Sequence, residues 1–117
     1  MDLEHFMRVC NAKKGVTEEF PFGENILVYK VMGKMFALTD VDQFESVNLK
    51  VDPEQGVLLQ EEYAAVQPGY HMNKKHWITV IMDGSVPDRL LQQWIDNSYN
   101  LVVSGLTKKQ QIALKEA

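Results

Sequence analysis

The 117-residue chain contains one cysteine, Cys10. A single thiol excludes an intramolecular disulfide and removes any cysteine-based zinc motif. Long hydrophobic runs are also missing, and no stretch is long enough to span a bilayer. The first residues, Met1-Asp2-Leu3-Glu4-His5, are acidic rather than basic and lead into no apolar run, which argues against a signal peptide. The expectation is a cytoplasmic protein without a membrane partner. Positive charge is scarce: 12 Lys and Arg stand against 16 Asp and Glu, a net charge of −4. Nucleic-acid-binding modules usually carry the opposite balance.

The familiar signatures of catalysis and metal binding are absent as well. There is no GxSxG, P-loop, GxGxxG or HExxH. His71 and His76 lack a third ligand at useful spacing, so solvated loop histidines are expected rather than a metal site. Asp40, Asp42 and Glu45 resemble the start of a calcium loop, but its glycine and bidentate glutamate are missing. Cys10 falls on an apolar helical stripe, where a buried structural thiol is expected rather than a nucleophile. Trp77 and Trp94 read as core. These absences lead to the expectation of a protein that is not an enzyme and holds neither cofactor nor metal.

What is present fits one α+β domain spanning 1–117. Hydrophobic residues make up 45% and charged residues 24%, an ordinary globular balance, and the length suffices for a core without staples. Leu3, Phe6, Met7 and Cys10 recur at helical spacing behind Asp2, giving a helix to about Ala12. Thr17–Gly23 reads as a connecting turn. Ile26–Met32 and Met35–Thr39 read as strands joined through Gly33-Lys34, a two-residue II′ turn with glycine first. Val47, Leu49 and Val51 alternate with polar residues as a third strand. Asp52-Pro53-Glu54-Gln55 carries the features of a capping box, with a helix to about Ala65. Trp77–Met82 is apolar on both sides, as a central strand would be. Ser85–Asp88 resembles another capping box, ahead of a helix closed by Gly105, and Thr107 starts a short last helix. The order is α-β-β-β-α-β-α-α, with a further short strand allowed before Trp77: a mostly antiparallel sheet with helices on one face.

The charge is segregated along the chain. Ile26–Leu38 holds Lys30 and Lys34 and no acid; Gln67–Met82 holds Lys74 and Lys75 and no acid; Thr39–Val66 between them holds seven acids and Lys50. The basic segments can therefore share one surface. The second is Pro68-Gly69 followed by Tyr70, His71, Lys74, Lys75 and His76, a basic, aromatic-flanked loop at the start of the central strand. On composition alone, an ordinary solvated loop and a binding loop both account for it.

An ordered set of segments carries a resemblance over nearly the whole chain. They are Glu19-Phe20-Pro21-Phe22-Gly23, Val28-Tyr29-Lys30-Val31, Gly33-Lys34-Met35-Phe36-Ala37, Leu49-Lys50-Val51-Asp52-Pro53, Pro68-Gly69-Tyr70-His71, Lys75-His76-Trp77 and Ser98-Tyr99. Together they resemble the MmcQ/YjbR family of small bacterial proteins. The resemblance implies a YjbR-like fold, akin in topology to type III secretion chaperones, and a nonenzymatic DNA-binding role through a double wing. The wings would be the Tyr29–Phe36 hairpin and the Tyr70–Trp77 loop. The implied contacts are Lys30, Lys34, Tyr70, His71, Lys74, Lys75 and His76, binding DNA weakly and with little sequence preference as a monomer. A protein-interaction or chaperone-like module, using a sheet edge or an apolar face, is the alternative.

Overall fold

The computed structural model describes residues 1–69 and 72–117. Its elements are α1 (Leu3–Asn11), β1 (Val16–Glu19), β2 (Ile26–Val31), β3 (Lys34–Asp40), β4 (Ser46–Lys50), α2 (Pro53–Glu62), β5 (Val66–Pro68), β6 (Trp77–Ile81), α3 (Asp88–Ser104) and α4 (Lys108–Glu116). The strands form one antiparallel sheet in the order β1-β2-β3-β4-β6-β5. This is the α+β architecture expected; the short strand allowed before Trp77 is present as β5, and one short strand, β1, is added to the sequence order.

Alternation sorts the strand residues between two faces. Leu27, Tyr29 and Val31 of β2, Val47 and Leu49 of β4, and Ile78 and Val80 of β6 enter a main core with Phe6 and Cys10 of α1 and Leu91, Trp94, Ile95 and Val102 of α3. Helix α3 lies against β2, β3 and β4. The side chains of Val28, Leu38 and Trp77 form a second, smaller cluster, joined by Ile26, Met35 and Met72. Trp94 packs edge-on to Tyr63 at 5.1 Å. Both tryptophans are buried, as expected.

The helix starts differ in how they are closed. Asp2 caps α1 by accepting from the His5 amide at 2.8 Å, and Thr107 forms a full capping box with Gln110. Asp52 occupies the N-cap position of α2, yet its side chain makes no cap bond and the expected box with Gln55 does not form. The expected Ser85–Asp88 box is also replaced. Asp83 turns back to accept from the amide and hydroxyl of Ser85 at 2.9 and 2.6 Å, and α3 starts behind Pro87.

Three boundaries move. Val16–Glu19, overlapping the expected turn, pairs with β2 as an edge strand; being short and mostly polar, it offers no hydrophobic alternation to read. The hairpin turn is Met32-Gly33 rather than Gly33-Lys34, since Val31 pairs with Lys34. Both turn residues have positive φ, 49° and 79°, the signature of a type I′ turn that follows strand twist. Helix α2 stops at Glu62 because Tyr63 turns extended, and Val66 enters β5 instead of continuing the helical face. Gly56, a weak residue for a helix, is buried where an added Cβ would meet a Val51 methyl at 3.0 Å.

Candidate functional site

The antiparallel register brings three chain segments to one end of the sheet. Residue Ala37 pairs with Leu49, and Lys50 with Trp77, so the start of β3, the end of β4 and the start of β6 lie together. The β2–β3 turn and the loop before Trp77 therefore project from the same end. Strand β4 separates β3 from β6, which sets those two strands about 10 Å apart. The loop is fastened there: the Val51 amide donates to the His76 carbonyl at 2.8 Å, and the Gly69 amide donates to the Trp77 carbonyl at 3.0 Å. Asn73 shapes the loop from within. Its side-chain oxygen accepts from the Lys75 amide at 2.9 Å, and its carbonyl accepts from the His76 amide at 3.1 Å.

A groove of about 500 Å³ opens at this end, and it brings Lys30, Lys34 and Lys50 together with Phe22, Met35 and Trp77. Phe22 is 63% exposed, a bare aromatic beside three amines, whereas Trp77 is only 7% exposed and serves as floor. The amines are not equivalent. Lys30 is largely covered and pairs with Glu19 of β1 at 3.2 Å, a diagonal pair across the β1–β2 ladder. The Thr17 hydroxyl, and then the Lys30 ammonium, hold the Glu19 carboxyl below its ordinary range. Lys34 is exposed where β3 begins. Lys50, at the end of β4, is half-buried and enters no ion pair among the described residues.

Of the residues expected to form the site, Lys30 and Lys34 thus share a groove, and Lys74, Lys75 and His76 are exposed on the loop at the same end. Tyr70 and His71 lie outside the described residues. Lys50 and Phe22 belong to the groove but were not among the expected contacts. Lys50 reads in sequence as the polar member of an alternating strand. Only the pairing with Trp77 turns it toward the hairpin lysines. No cluster of His, Cys, Asp or Glu suited to a metal ion occurs among the described residues. No described helix is long and apolar enough to cross a membrane.

The comparisons place this fold within a known group. The YjbR family model matches residues 11–101. The chain belongs to the YjbR family. It is 44% identical over 93 residues to the uncharacterized protein YbdF of Escherichia coli O157:H7, covering 79% of this chain and 76% of that protein. It is 32% identical over 111 residues to the uncharacterized protein YjbR of Escherichia coli K12, covering 94% of each. The crystal structure of Deinococcus radiodurans protein DR2400 superposes with a TM-score of 0.87 at 42% identity, over 97% of this chain and 87% of that one.

Proposed function

We propose that this protein is a nonenzymatic, cytoplasmic DNA-binding module that acts as a monomer and holds phosphates at the lysine-bearing end of its sheet. The observation that carries the reading is the meeting of the hairpin and the basic loop: Lys34 and Lys50 line one groove, and the loop bearing Lys74 and Lys75 is bonded to the end of β4 beside it. Two projecting elements with lysines at one sheet end fit a double wing. Phosphate contacts of this kind position a duplex without reading its sequence, so binding is weak and tolerant of sequence. Exposed Phe22 offers a face on which an unpaired base could stack. Among the described residues the groove is lined by amines and apolar groups, a lining suited to holding phosphates.

Salt titration by fluorescence anisotropy tests the reading. Lys34, Lys50, Lys74 and Lys75 can neutralise about four phosphates, so the log–log slope on duplex DNA should lie near −3 to −4, at about −0.9 per phosphate. Replacing Lys74 and Lys75 by Ala should remove about 2 from that slope. No binding to duplex or single strands at low salt would falsify the reading and leave a protein partner as the alternative. An unchanged slope in the double variant would move the surface elsewhere.

A further inference from the structure

Two aromatic rings stand in solvent on the loop between β1 and β2: Phe20 is 48% and Phe22 63% exposed. Single exposed hydrophobes are common and need no explanation. Phe22 differs because it lines the lysine groove. It also stands on a stiff turn. Pro21 immediately before it has a fixed φ and biases Phe20 toward extended backbone. A ring held in place in this way loses little freedom when a ligand lands on it.

The strand register sets what surrounds the ring. Lys30 alternates with Tyr29 and Val31, which enter the main core, so it points to the other face of the sheet, where it is paired with Met35. Lys50 is paired with Trp77, a member of the smaller cluster on that same face. The residues of that cluster come from strands and a loop and not from a helix. Strands β2 and β4 are two spacings apart, about 10 Å, with β3 between them. Amines thus rise on either side of Met35, and Lys34 stands exposed at the start of β3. The volume of about 500 Å³ falls among pockets that hold one small organic group, and a helix of stacked base pairs cannot enter it.

An aromatic face, an apolar floor and flanking amines in one pocket match the parts of a nucleotide: a planar base and its phosphates. Inside a duplex both faces of a base are covered by its neighbours, so only an unpaired base can lie on Phe22. We propose that the groove takes one unpaired nucleotide of a single DNA strand. Its base stacks on Phe22 against Pro21 and Met35, and its flanking phosphates meet Lys34 and Lys50, while Lys30 stays with Glu19. The proposal rests on the DNA reading and narrows it, making single-stranded DNA the preferred partner.

The test is fluorescence anisotropy of the full chain at low salt with three probes. The first is a thymidine oligonucleotide of about 12 nucleotides, within the roughly 4–16 typical of a single-strand site. The second is an abasic strand of equal length, which keeps the phosphates and drops the bases. The third is the oligonucleotide annealed to its complement. Stacking of one base should make the thymidine strand about tenfold tighter than the abasic strand. It should also bind several-fold tighter than the duplex, although its charge density is lower. Phe22→Ala, at an exposed position where truncation spares the fold, should lose about tenfold on the thymidine strand. Its affinity for the abasic strand and its salt slope should stay as in wild type, because no phosphate contact is removed. Phe22→Trp should keep or tighten binding, whereas a merely structural role would weaken all three probes together.

The proposal is overturned if the thymidine and abasic strands bind alike, if the duplex binds as tightly as the single strand, or if Phe22→Ala keeps wild-type affinity for thymidine. In each of those cases salt-dependent binding leaves the DNA reading standing, whereas absence of binding to every probe ends both. Free thymidine monophosphate separates the two sources of a nucleotide. It should compete only weakly, since it reaches few of the lysines; displacement at concentrations equal to the oligonucleotide would overturn the strand in favour of a free nucleotide.

Discussion

The hydroxyl of Ser98, fully buried on α3, accepts from the backbone amide of Lys50 at 2.8 Å. The same hydroxyl donates to the Phe36 carbonyl at 2.5 Å. These bonds sit where the sheet is irregular: Tyr29 faces Ala37 and Lys30 faces Met35, so Phe36 has no partner residue on β2. The β3–β4 ladder also ends here, at Ala37–Leu49, so the Phe36 carbonyl and the Lys50 amide lie beyond its last pair. Ser98 supplies the missing partner to both strands and fixes the β4 end from which Lys50 extends.

Replacing Ser98 by Ala should therefore cost about 2 kcal/mol, because a buried donor and a buried acceptor both lose their partner at about 1–3 kcal/mol for an unsatisfied group. Urea denaturation measures it. A loss below about 0.5 kcal/mol, the level of a neutral surface change, would show that the hydroxyl is dispensable.

The Lys30–Glu19 pair makes Glu19 an internal competitor for phosphate. Glu19→Gln should release the amine, tighten DNA binding at low salt and steepen the salt slope by about 0.9, one added phosphate contact. Anisotropy titrations of the variant beside wild type decide it; a slope equal to wild type means that Lys30 does not reach DNA even when freed.

Two glycines should respond differently to alanine. At Gly69 a Cβ would lie 2.7 Å from the Trp77 Cβ and 3.0 Å from its carbonyl oxygen, a backbone that cannot step aside cheaply. At Gly33 nothing lies within 4 Å, and only the φ of +79° is at issue, a cost of roughly 1–2 kcal/mol. Gly69→Ala should lower stability more than Gly33→Ala, and Gly33→Asn should recover part of the second loss because Asn tolerates that region. Thermal melts of the three variants rank them directly.

Alkaline pH should weaken the fold before it affects the surface. Burial pushes the Cys10 thiol far above its ordinary range. Burial first, and then the hydrogen bond its hydroxyl donates to Glu18 at 2.7 Å, do the same to Tyr29. Both groups have folded values raised above unfolded ones, so each contributes stability that is whole below the unfolded value and is lost as pH rises past it. Unfolding free energy should thus decline from about pH 8.5 as unfolded Cys10 ionises, and more steeply above about pH 10 when Tyr29 joins. Tyr29→Phe should shrink the second, steeper phase, and Tyr99, whose hydroxyl is likewise pushed up by burial, should supply what remains. A profile flat to pH 11, roughly a unit above the unfolded tyrosine value, would contradict the burial argument.

Native Cys10 should also resist thiol reagents. It is fully buried, so labelling should proceed only as fast as the protein opens and should accelerate with denaturant. Rapid stoichiometric labelling in native buffer is the contrary result.

Much of this architecture is legible from local chemistry. Asp2 and the Leu3, Phe6, Met7, Cys10 spacing define α1, and alternation marks β4, because those signals depend on residues a few positions apart. The misplaced features depend on partners far away in sequence. Met32 is not a turn-forming residue, and only the pairing of Val31 with Lys34 assigns it to the turn. Tyr63 continues the helical apolar face in sequence, yet it turns extended and packs on Trp94. The basic segments were visible as residues, but their common end of the sheet, and the place of Lys50 in the groove there, follow from β4 lying beside β6, a pairing that no local pattern encodes.

The edges of the sheet limit how the protein can associate. One margin is β1, four residues ending in Glu18 and Glu19; the other is β5, three residues ending in Pro68. Short edge strands carrying charge or proline are poor templates for an incoming strand. Extension of the sheet by a guest peptide or a second copy is thereby discouraged, and so is fibrillar growth from the native state. Encounters with other macromolecules are left to side-chain surfaces, where charge and shape rather than backbone pairing govern the choice of partner.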